Sequence, residues 1–143
     1  MTDPYNLQRF LDAQRDTYET ALEELTAGTK CSHWMWFVFP QMAGLGSSPT
    51  SQFYAIASLS EARAYLNHAL LSVRLTECVT AVSPWAQTRS AEQIFGPIDA
   101  AKFRSSLTLF DQAAPDRPFA TALNAFFDGE RDSRTLALLN GAR

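Results

Sequence analysis

The chain has 143 residues, of which 12 are Lys or Arg and 15 are Asp or Glu, so its formal charge is −3. Apolar residues make up 46% of the sequence and charged residues 19%, a composition that excludes a disordered chain. The length predicts one globular domain over residues 1–143. The acidic balance argues against nucleic acid as a partner, and no apolar run approaches the roughly 20 residues that a membrane span needs.

The N-terminal sequence MTDPYNLQRF lacks the basic and then apolar order of a signal peptide, which predicts a cytoplasmic protein. The two cysteines, Cys31 and Cys78, form neither a disulfide framework nor a metal-ligand cluster. We therefore expect no metal and no cofactor. The sequence indicates no particular oligomeric state.

The first two helices are predicted near the N-terminus. Asp3-Pro4, a capping residue followed by proline, precedes the first helix. Asp16 is the candidate cap of the second helix, and Gly28 is its candidate end. The outer face of the second helix carries three acidic residues, which are typical of a solvated surface: Glu19, Glu23 and Glu24.

The next segment, HWMWFVFPQ at positions 33–41, is ambiguous. Its aromatic and β-branched residues favour a strand, whereas Ser32 as a cap and Pro40 as a stop suit a short helix. The glycine- and serine-rich stretch Gly44–Pro49 is typical of a loop.

Helix signals are strong in the remainder of the chain. Ser58 and Ser90 each begin a capping pattern that ends three residues later in Glu61 and Gln93, and Asp132 is a further candidate cap. Apolar residues at helical spacing form three stripes, which are Leu71, Leu75, Val79 and Val82; Phe103, Leu107 and Phe110; and Phe119, Leu123 and Phe126. With seven or eight short helices and no convincing strand pair, the predicted fold is an all-α, compact, multi-helical domain.

Five stretches of this sequence resemble the bacterial domain-of-unknown-function 1810 family, whose members are sometimes labelled calpastatin. The similarity covers almost the whole chain, in residues 3–14, 32–49, 54–66, 94–110 and 126–139. The resemblance implies a compact, mostly helical fold. It implies no established activity.

Residues 29–60 contain one formal charge, Lys30. A buried core segment would need only apolar residues, but this window also contains His33, Gln41, two glycines and several hydroxyl groups. We therefore expect it to form the buried centre of the fold and one uncharged wall of a pocket. The positive charge of that pocket would come from Lys102.

Several residues of this window suit a ligand site. His33 is the candidate general acid or base, since imidazole exchanges a proton near neutral pH, and it lies four and eight residues before Phe37 and Gln41, on one predicted face. The Gln41 amide can bind a polar edge. The loop residues Gly44, Gly46 and Ser47 offer backbone N–H groups to an anion.

Aromatic residues and one later helix complete the predicted site. Trp34 and Trp36 can stack on a planar ring, and Tyr54 can bring a phenol to the same area. Beyond Asp99, Lys102 lies one turn from a pair of serines and can polarise a phosphate or carboxylate. These serines are Ser105 and Ser106.

Each of these features also has a purely structural interpretation. The aromatic cluster is typical of a core, the glycine pair of an ordinary turn, and the Lys102 face of a helix surface. Two functions therefore stay open. One is a small protein that binds a planar, anionic, nucleotide- or phosphate-like molecule, with hydrolysis as its candidate reaction. The other is a non-catalytic interaction or scaffold module.

Overall fold

Helices account for the regular secondary structure of the computed structural model, which describes residues 2–141. Within these residues there are ten α-helices, of which seven have seven residues or more. A 3₁₀ helix, Ser83–Gln87, follows α6. The α-helices in chain order are α1 (Gln8–Gln14), α2 (Tyr18–Thr26), α3 (Met35–Val38), α4 (Pro49–Phe53), α5 (Leu59–Asn67), α6 (Ala69–Val82), α7 (Ala91–Phe95), α8 (Pro97–Ala113), α9 (Phe119–Phe127) and α10 (Ser133–Gly141).

The predicted all-α class is confirmed, because the β pairing between positions 2 and 141 amounts to one isolated bridge, Met42 with Ile56. The helix count exceeds the predicted seven or eight because α3, α4 and α7 have only four or five residues each. None of the helices in residues 2–141 is both long enough and apolar enough to cross a membrane.

Local side-chain hydrogen bonds explain several of the helix starts. The Asp3 carboxylate accepts hydrogen bonds from the backbone N–H groups of Leu7 (2.8 Å) and Gln8 (3.0 Å), so α1 begins at Gln8. Ser58 accepts from Glu61 N (3.1 Å). Ser90 and Gln93 form the complete reciprocal capping box.

The predicted cap at Asp16 is wrong. Helix α2 begins at Tyr18 with Thr17 as its N-cap residue, and no side chain caps it. Asp16 therefore lies one position too early in the chain for a capping residue. The predicted end at Gly28 is confirmed by a φ of +73°, a conformation that glycine adopts without strain.

The ambiguous segment forms a helix, but only over Met35–Val38. Pro40 lacks a backbone N–H and disfavours helical geometry in the residue before it, which accounts for the stop. The predicted cap at Ser32 is wrong, since the N-cap residue is Trp34 and the Ser32 hydroxyl instead donates to the Glu24 carboxylate.

Helix α8 is the centre of the molecule and packs against α3, α5, α7, α9 and α10. Its predicted core stripe of Phe103, Leu107 and Phe110 is no more than 1% exposed, which confirms it. Ser105, Ser106 and Leu109 on the neighbouring face are buried as well, because helices cover α8 on several sides. The first turns of α8, around Lys102, thus lie against the low-charge segment, residues 29–60.

Candidate functional site

Two neighbouring cavities lie where the low-charge segment meets α8 and α10. The smaller has a volume of about 100 Å³ and is lined by residues 36–55, including Trp36, Tyr54 and Gly44. The larger, of about 460 Å³, is lined by the same segment together with α8 and α10. Both include Gln41, Gly46 and Ser51 in their walls. We refer to the two cavities together as the Trp36 groove, with six principal residues: Trp36, Gln41, Gly46, Ser51, Tyr54 and Lys102.

A third concavity adjoins the groove at Trp36 and Tyr54. Its walls are mainly aromatic, and it shares Trp36 and Tyr54 with the smaller cavity. We refer to it as the aromatic cleft, formed by Trp36, Phe37, Pro49, Thr50, Phe53 and Tyr54. The Phe53 and Tyr54 rings meet edge to face, with their centroids 4.8 Å apart. Planar groups bind well to such aromatic surfaces.

The backbone of residues 41–46 forms one wall of the groove. It is anchored by two hydrogen bonds of 2.8 Å, from Ile56 N to Gln41 O and from Ala43 N to Ile56 O. Gly46 lies so close to α4 that a Cβ at this position would be 2.6 Å from the Ser51 Cβ. Glycine at 46 therefore lets the loop pack directly on α4.

Three polar side chains in the groove lack hydrogen-bond partners. The indole N–H of Trp36, the amide of Gln41 and the hydroxyl of Tyr54 make no hydrogen bond with any residue between positions 2 and 141, and all three residues line the smaller cavity. All three are half-buried. Because these groups are partly exposed and have no partner among the described residues, they are available to a ligand.

The positive charge of the groove comes from Lys102. Its ammonium group lies 4.9 Å from the centroid of the Trp36 ring and 3.7 Å from an Asp99 carboxylate oxygen. The other Asp99 oxygen is 2.8 Å from the ammonium group of Lys30, whose side chain is only 6% exposed. Asp99 is thus neutralised mainly by Lys30, and Lys102 remains free to attract an anion.

A second cation, Arg134, lines the larger cavity and was missed in the sequence. It is exposed and makes no hydrogen bond or ion pair with the residues that the structure describes. The neighbouring Asp132 is occupied, because its Oδ2 accepts from Ser105 Oγ (3.2 Å) and from the Thr135 N–H (3.0 Å). Arg134 lies far from Lys102 in the chain, so no local pattern could have linked them.

The predicted site residues divide into two groups. Those that the fold brings to the groove are Trp36, Gln41, Gly44, Gly46, Tyr54, Lys102 and Ser105. Of the others, Ser47 is exposed and its carbonyl accepts from the Gln52 amide, while Ser106 is 1% exposed. Neither lines the groove or the cleft.

His33 is exposed and lies outside both the groove and the aromatic cleft. The predicted common helical face of His33, Phe37 and Gln41 does not form, because α3 includes only Met35–Val38. The fold thus leaves the predicted general acid or base away from Gln41 and Lys102.

Trp34 is fully buried and so has no surface for a ligand. Its indole N–H donates to Glu24 (2.9 Å), which also accepts from the backbone N–H groups of Cys31 (2.8 Å) and Ser32 (3.0 Å). Burial alone would raise the pKa of Glu24, but these hydrogen bonds and that of the Ser32 hydroxyl lower it to about 2. The interpretation of Glu24 as part of a solvated face is therefore wrong.

In the described part of the chain, no group of three His, Cys, Asp or Glu side chains is placed to bind a metal ion. Both cysteines are free, with Cys31 exposed and Cys78 buried. Burial raises the pKa of the Cys78 thiol to about 12, which makes it unreactive.

Residues 4–139 match the family described as "Protein of unknown function (DUF1810)". The chain belongs to the DUF1810 family. Among solved structures, it is similar to the conserved hypothetical protein Rv1873 from Mycobacterium tuberculosis, with 51% sequence identity and a TM-score of 0.93. The match covers 96% of this chain and 99% of that one. No curated protein matches. The family match confirms the predicted resemblance and assigns no activity.

Proposed function

We propose that this DUF1810 protein binds a planar, anionic small molecule in the Trp36 groove. The main support is that three half-buried polar side chains without described partners, on Trp36, Gln41 and Tyr54, line one cavity beside the Lys102 cation. Ligand sites of this kind combine apolar walls with a few convergent polar groups.

Each part of the groove suits one part of such a ligand. Lys102 attracts the anionic group. The Lys102 ammonium group covers one face of the Trp36 ring. The planar part of the ligand therefore stacks in the aromatic cleft, against Phe53 and Tyr54. The Gln41 amide, which can both donate and accept, binds a polar edge of the planar part.

Binding without catalysis is the function that the geometry favours. Hydrolysis requires a general acid or base within hydrogen-bond reach of the reacting atoms. His33, the predicted residue for this role, is outside the groove, and Oδ2 of Asp132, in the wall of the larger cavity, already accepts from Ser105 and Thr135. Hydrolysis is therefore not part of the proposed function.

An interaction module is the second candidate, and apolar side chains at the edges of the groove and the cleft favour it. Ile98, which lines the larger cavity, is 74% exposed, and Phe53 in the aromatic cleft is 56% exposed. Exposed apolar groups beside a concave surface are common at protein interfaces. If this candidate is right, Ile98→Asp abolishes binding of a protein partner, and small anions bind no more strongly than they do to the surface generally.

Thermal unfolding in the presence of nucleotides and sugar phosphates tests the proposal. At 100 times its Kd a ligand stabilises the folded state by about 2.7 kcal/mol, which raises the melting temperature measurably. We expect at least one ligand to stabilise the wild-type protein and to stabilise Lys102→Ala much less.

The matched control is Arg15→Ala, which removes an exposed cation paired with Asp12, away from the groove. This variant should respond to ligand as the wild-type protein does. Equal stabilisation of wild type and Lys102→Ala, or no stabilisation by any ligand, contradicts the proposal.

A further inference from the structure

The larger cavity of the Trp36 groove is lined by two cations from different helices. Lys102 comes from α8, and Arg134 comes from the first turn of α10. The Arg134 guanidinium is exposed and has no partner among residues 2–141. Among residues 2–141, the Lys102 ammonium group has a long contact of 3.7 Å with Asp99 and lies 4.9 Å from the Trp36 ring centroid. Both cations are therefore available at the same place.

The carboxylates nearby cancel this charge only in part. Asp99 lies closer to Lys30 (2.8 Å) than to Lys102, and Asp132 accepts hydrogen bonds from Ser105 and Thr135. Counting Lys30, Lys102 and Arg134 against Asp99 and Asp132, this end of the groove has a net charge of +1. The whole chain has a formal charge of −3, so the groove is a local exception.

We propose that the anionic group of the ligand is a phosphate monoester bound between Lys102 and Arg134, an inference that rests on the proposed function. A phosphate monoester carries a charge of about −1.5 to −2 at pH 7 and has three strong acceptor oxygens. Two cations that line one cavity can both contact the oxygens of such a group. A carboxylate carries a single charge and is attracted less strongly by the same two cations.

The size of the groove indicates that the phosphate is attached to a larger group. The larger cavity has a volume of about 460 Å³, within the range of sites for organic ligands and well beyond the needs of a free ion. Gln41, Gly46 and Ser51 connect this cavity to the one at Trp36. A phosphate at Lys102 and Arg134 thus leaves the planar part of the same molecule directed towards Trp36 and the aromatic cleft.

Three aromatic probes separate the phosphate from other anions: phenyl phosphate, its methyl ester methyl phenyl phosphate, and benzoate. The ester keeps the ring and the phosphorus but has only one charge. By isothermal titration calorimetry, we expect the wild-type protein to bind phenyl phosphate at least tenfold more tightly than either of the other two.

Two variants locate the phosphate. Arg134→Gln and Lys102→Gln should each weaken phenyl phosphate binding at least tenfold and bring it close to that of the methyl ester, while Arg15→Gln leaves it unchanged. Thermal unfolding without ligand shows that each variant is folded; both side chains are at the surface of the groove, and Arg134 has no described contact to lose.

The outcomes distinguish the two proposals. If the wild-type protein binds benzoate or the methyl ester as tightly as phenyl phosphate, or if Arg134→Gln leaves phenyl phosphate binding intact, the phosphate inference is overturned while the planar-anion proposal stands. If the wild-type protein binds none of the probes and no nucleotide, both proposals are wrong.

Discussion

At the scale of single residues, Ser105 and Ser106 are adjacent on α8 and buried, but they differ in their partners. The Ser105 hydroxyl is within hydrogen-bond distance of Asp132 (3.2 Å) and of the Ala101 carbonyl (3.0 Å). The Ser106 Oγ has no partner in the part of the chain that the structure describes. An unpaired buried hydroxyl costs free energy, whereas a hydrogen bond to a carboxylate stabilises the fold.

We expect the two alanine variants to have opposite effects. Ser106→Ala should raise the free energy of unfolding by about 1 kcal/mol, because it removes an unpaired polar group from a helix interior. Ser105→Ala should lower it by about 1–2 kcal/mol. Urea unfolding at pH 7 measures both, and a Ser106→Ala variant that is less stable than the wild type contradicts this account of the site.

Glu24 is the clearest source of pH-dependent stability. Hydrogen bonds from Ser32, Cys31 and Trp34 lower its pKa in the folded state to about 2, below the ordinary value of 4.5. A lowered folded-state pKa stabilises the protein above the unfolded-state value, and this stabilisation is lost as the pH falls towards the folded-state value. The contribution is therefore complete above about pH 4.5 and disappears on acidification towards pH 2.

Glu24→Gln should lower the free energy of unfolding by about 1–3 kcal/mol at pH 7, because the amide cannot accept from all of these donors. The difference from wild type should shrink as the pH falls from about 4.5 towards 2. The control is Glu23→Gln, which changes an exposed neighbour on the same helix. Urea unfolding of the wild type and both variants across this pH range tests the prediction. If the loss of unfolding free energy in Glu24→Gln does not depend on pH, the role of the carboxylate is contradicted.

Sequence patterns singled out the segment that lines the groove but could not distinguish the roles of Trp34 and Trp36. Trp34 and Trp36 are two positions apart in a segment whose secondary structure was ambiguous. Trp34 precedes α3 and is buried against Glu24, while Trp36 lies within α3 and lines the groove. The hydrogen-bond partner that distinguishes Trp34 from Trp36 is Glu24. It belongs to another helix, and its sequence pattern is that of a surface residue.

At the scale of elements, the short helix α4 depends on its contact with the loop before it. A Cβ at Gly46 would lie 2.6 Å from the Ser51 Cβ, which is attached to the α4 backbone and cannot rotate away. Gly46→Ala should therefore displace α4, lower the free energy of unfolding by about 1–3 kcal/mol, and weaken ligand binding in the groove. Urea unfolding and calorimetric titration with phenyl phosphate measure the two effects.

The control for Gly46 is Gly141→Ala in α10, where a Cβ would meet no heavy atom of residues 2–141 within 4 Å. Alanine in a helix is more favourable than glycine by up to about 1 kcal/mol, so this variant should be at least as stable as the wild type. If Gly46→Ala is as stable to urea as Gly141→Ala, the tight packing of the loop on α4 is not required for stability.

Local signals explain which elements were predicted correctly. Ser58 and Ser90 cap their helices through residues three positions away, so the pattern and the contact are both local. Helix α4 was missed because Pro49–Phe53 follows a glycine- and serine-rich stretch and has no buried residue to give an apolar stripe. Its cap, Ser48, was interpreted as part of a loop.

At the scale of the whole molecule, apolar periodicity was enough to predict the all-α class. The stripes on α6 and α8 are buried as expected, and that on α9 is buried except for the half-buried Phe126. Apolar periodicity could not predict the composition of the groove. Lys102 and Arg134 reach the same cavity only because α10 packs on α8, a tertiary contact with no local signature. Conversely, His33 belongs to the low-charge segment, residues 29–60, but the fold places it outside the groove.

The three tryptophans provide a direct test of whether planar anions bind in the Trp36 groove. The indole N–H of Trp34 donates to Glu24 (2.9 Å) and that of Trp85 to the Thr26 carbonyl (3.0 Å). The indole N–H of Trp36 has no partner among the described residues and lies in a residue that lines the groove. The three indole groups should thus respond differently to a ligand.

The decisive measurement is a titration of ¹⁵N-labelled protein with phenyl phosphate, followed by the three indole N–H signals in NMR spectra. Trp36→Phe assigns the Trp36 signal. We predict that this signal shifts with saturation while those of Trp34 and Trp85 stay in place, and that Lys102→Ala suppresses the shift. A titration that leaves the Trp36 signal unmoved, or that moves the Trp85 signal as much, contradicts ligand binding in the groove.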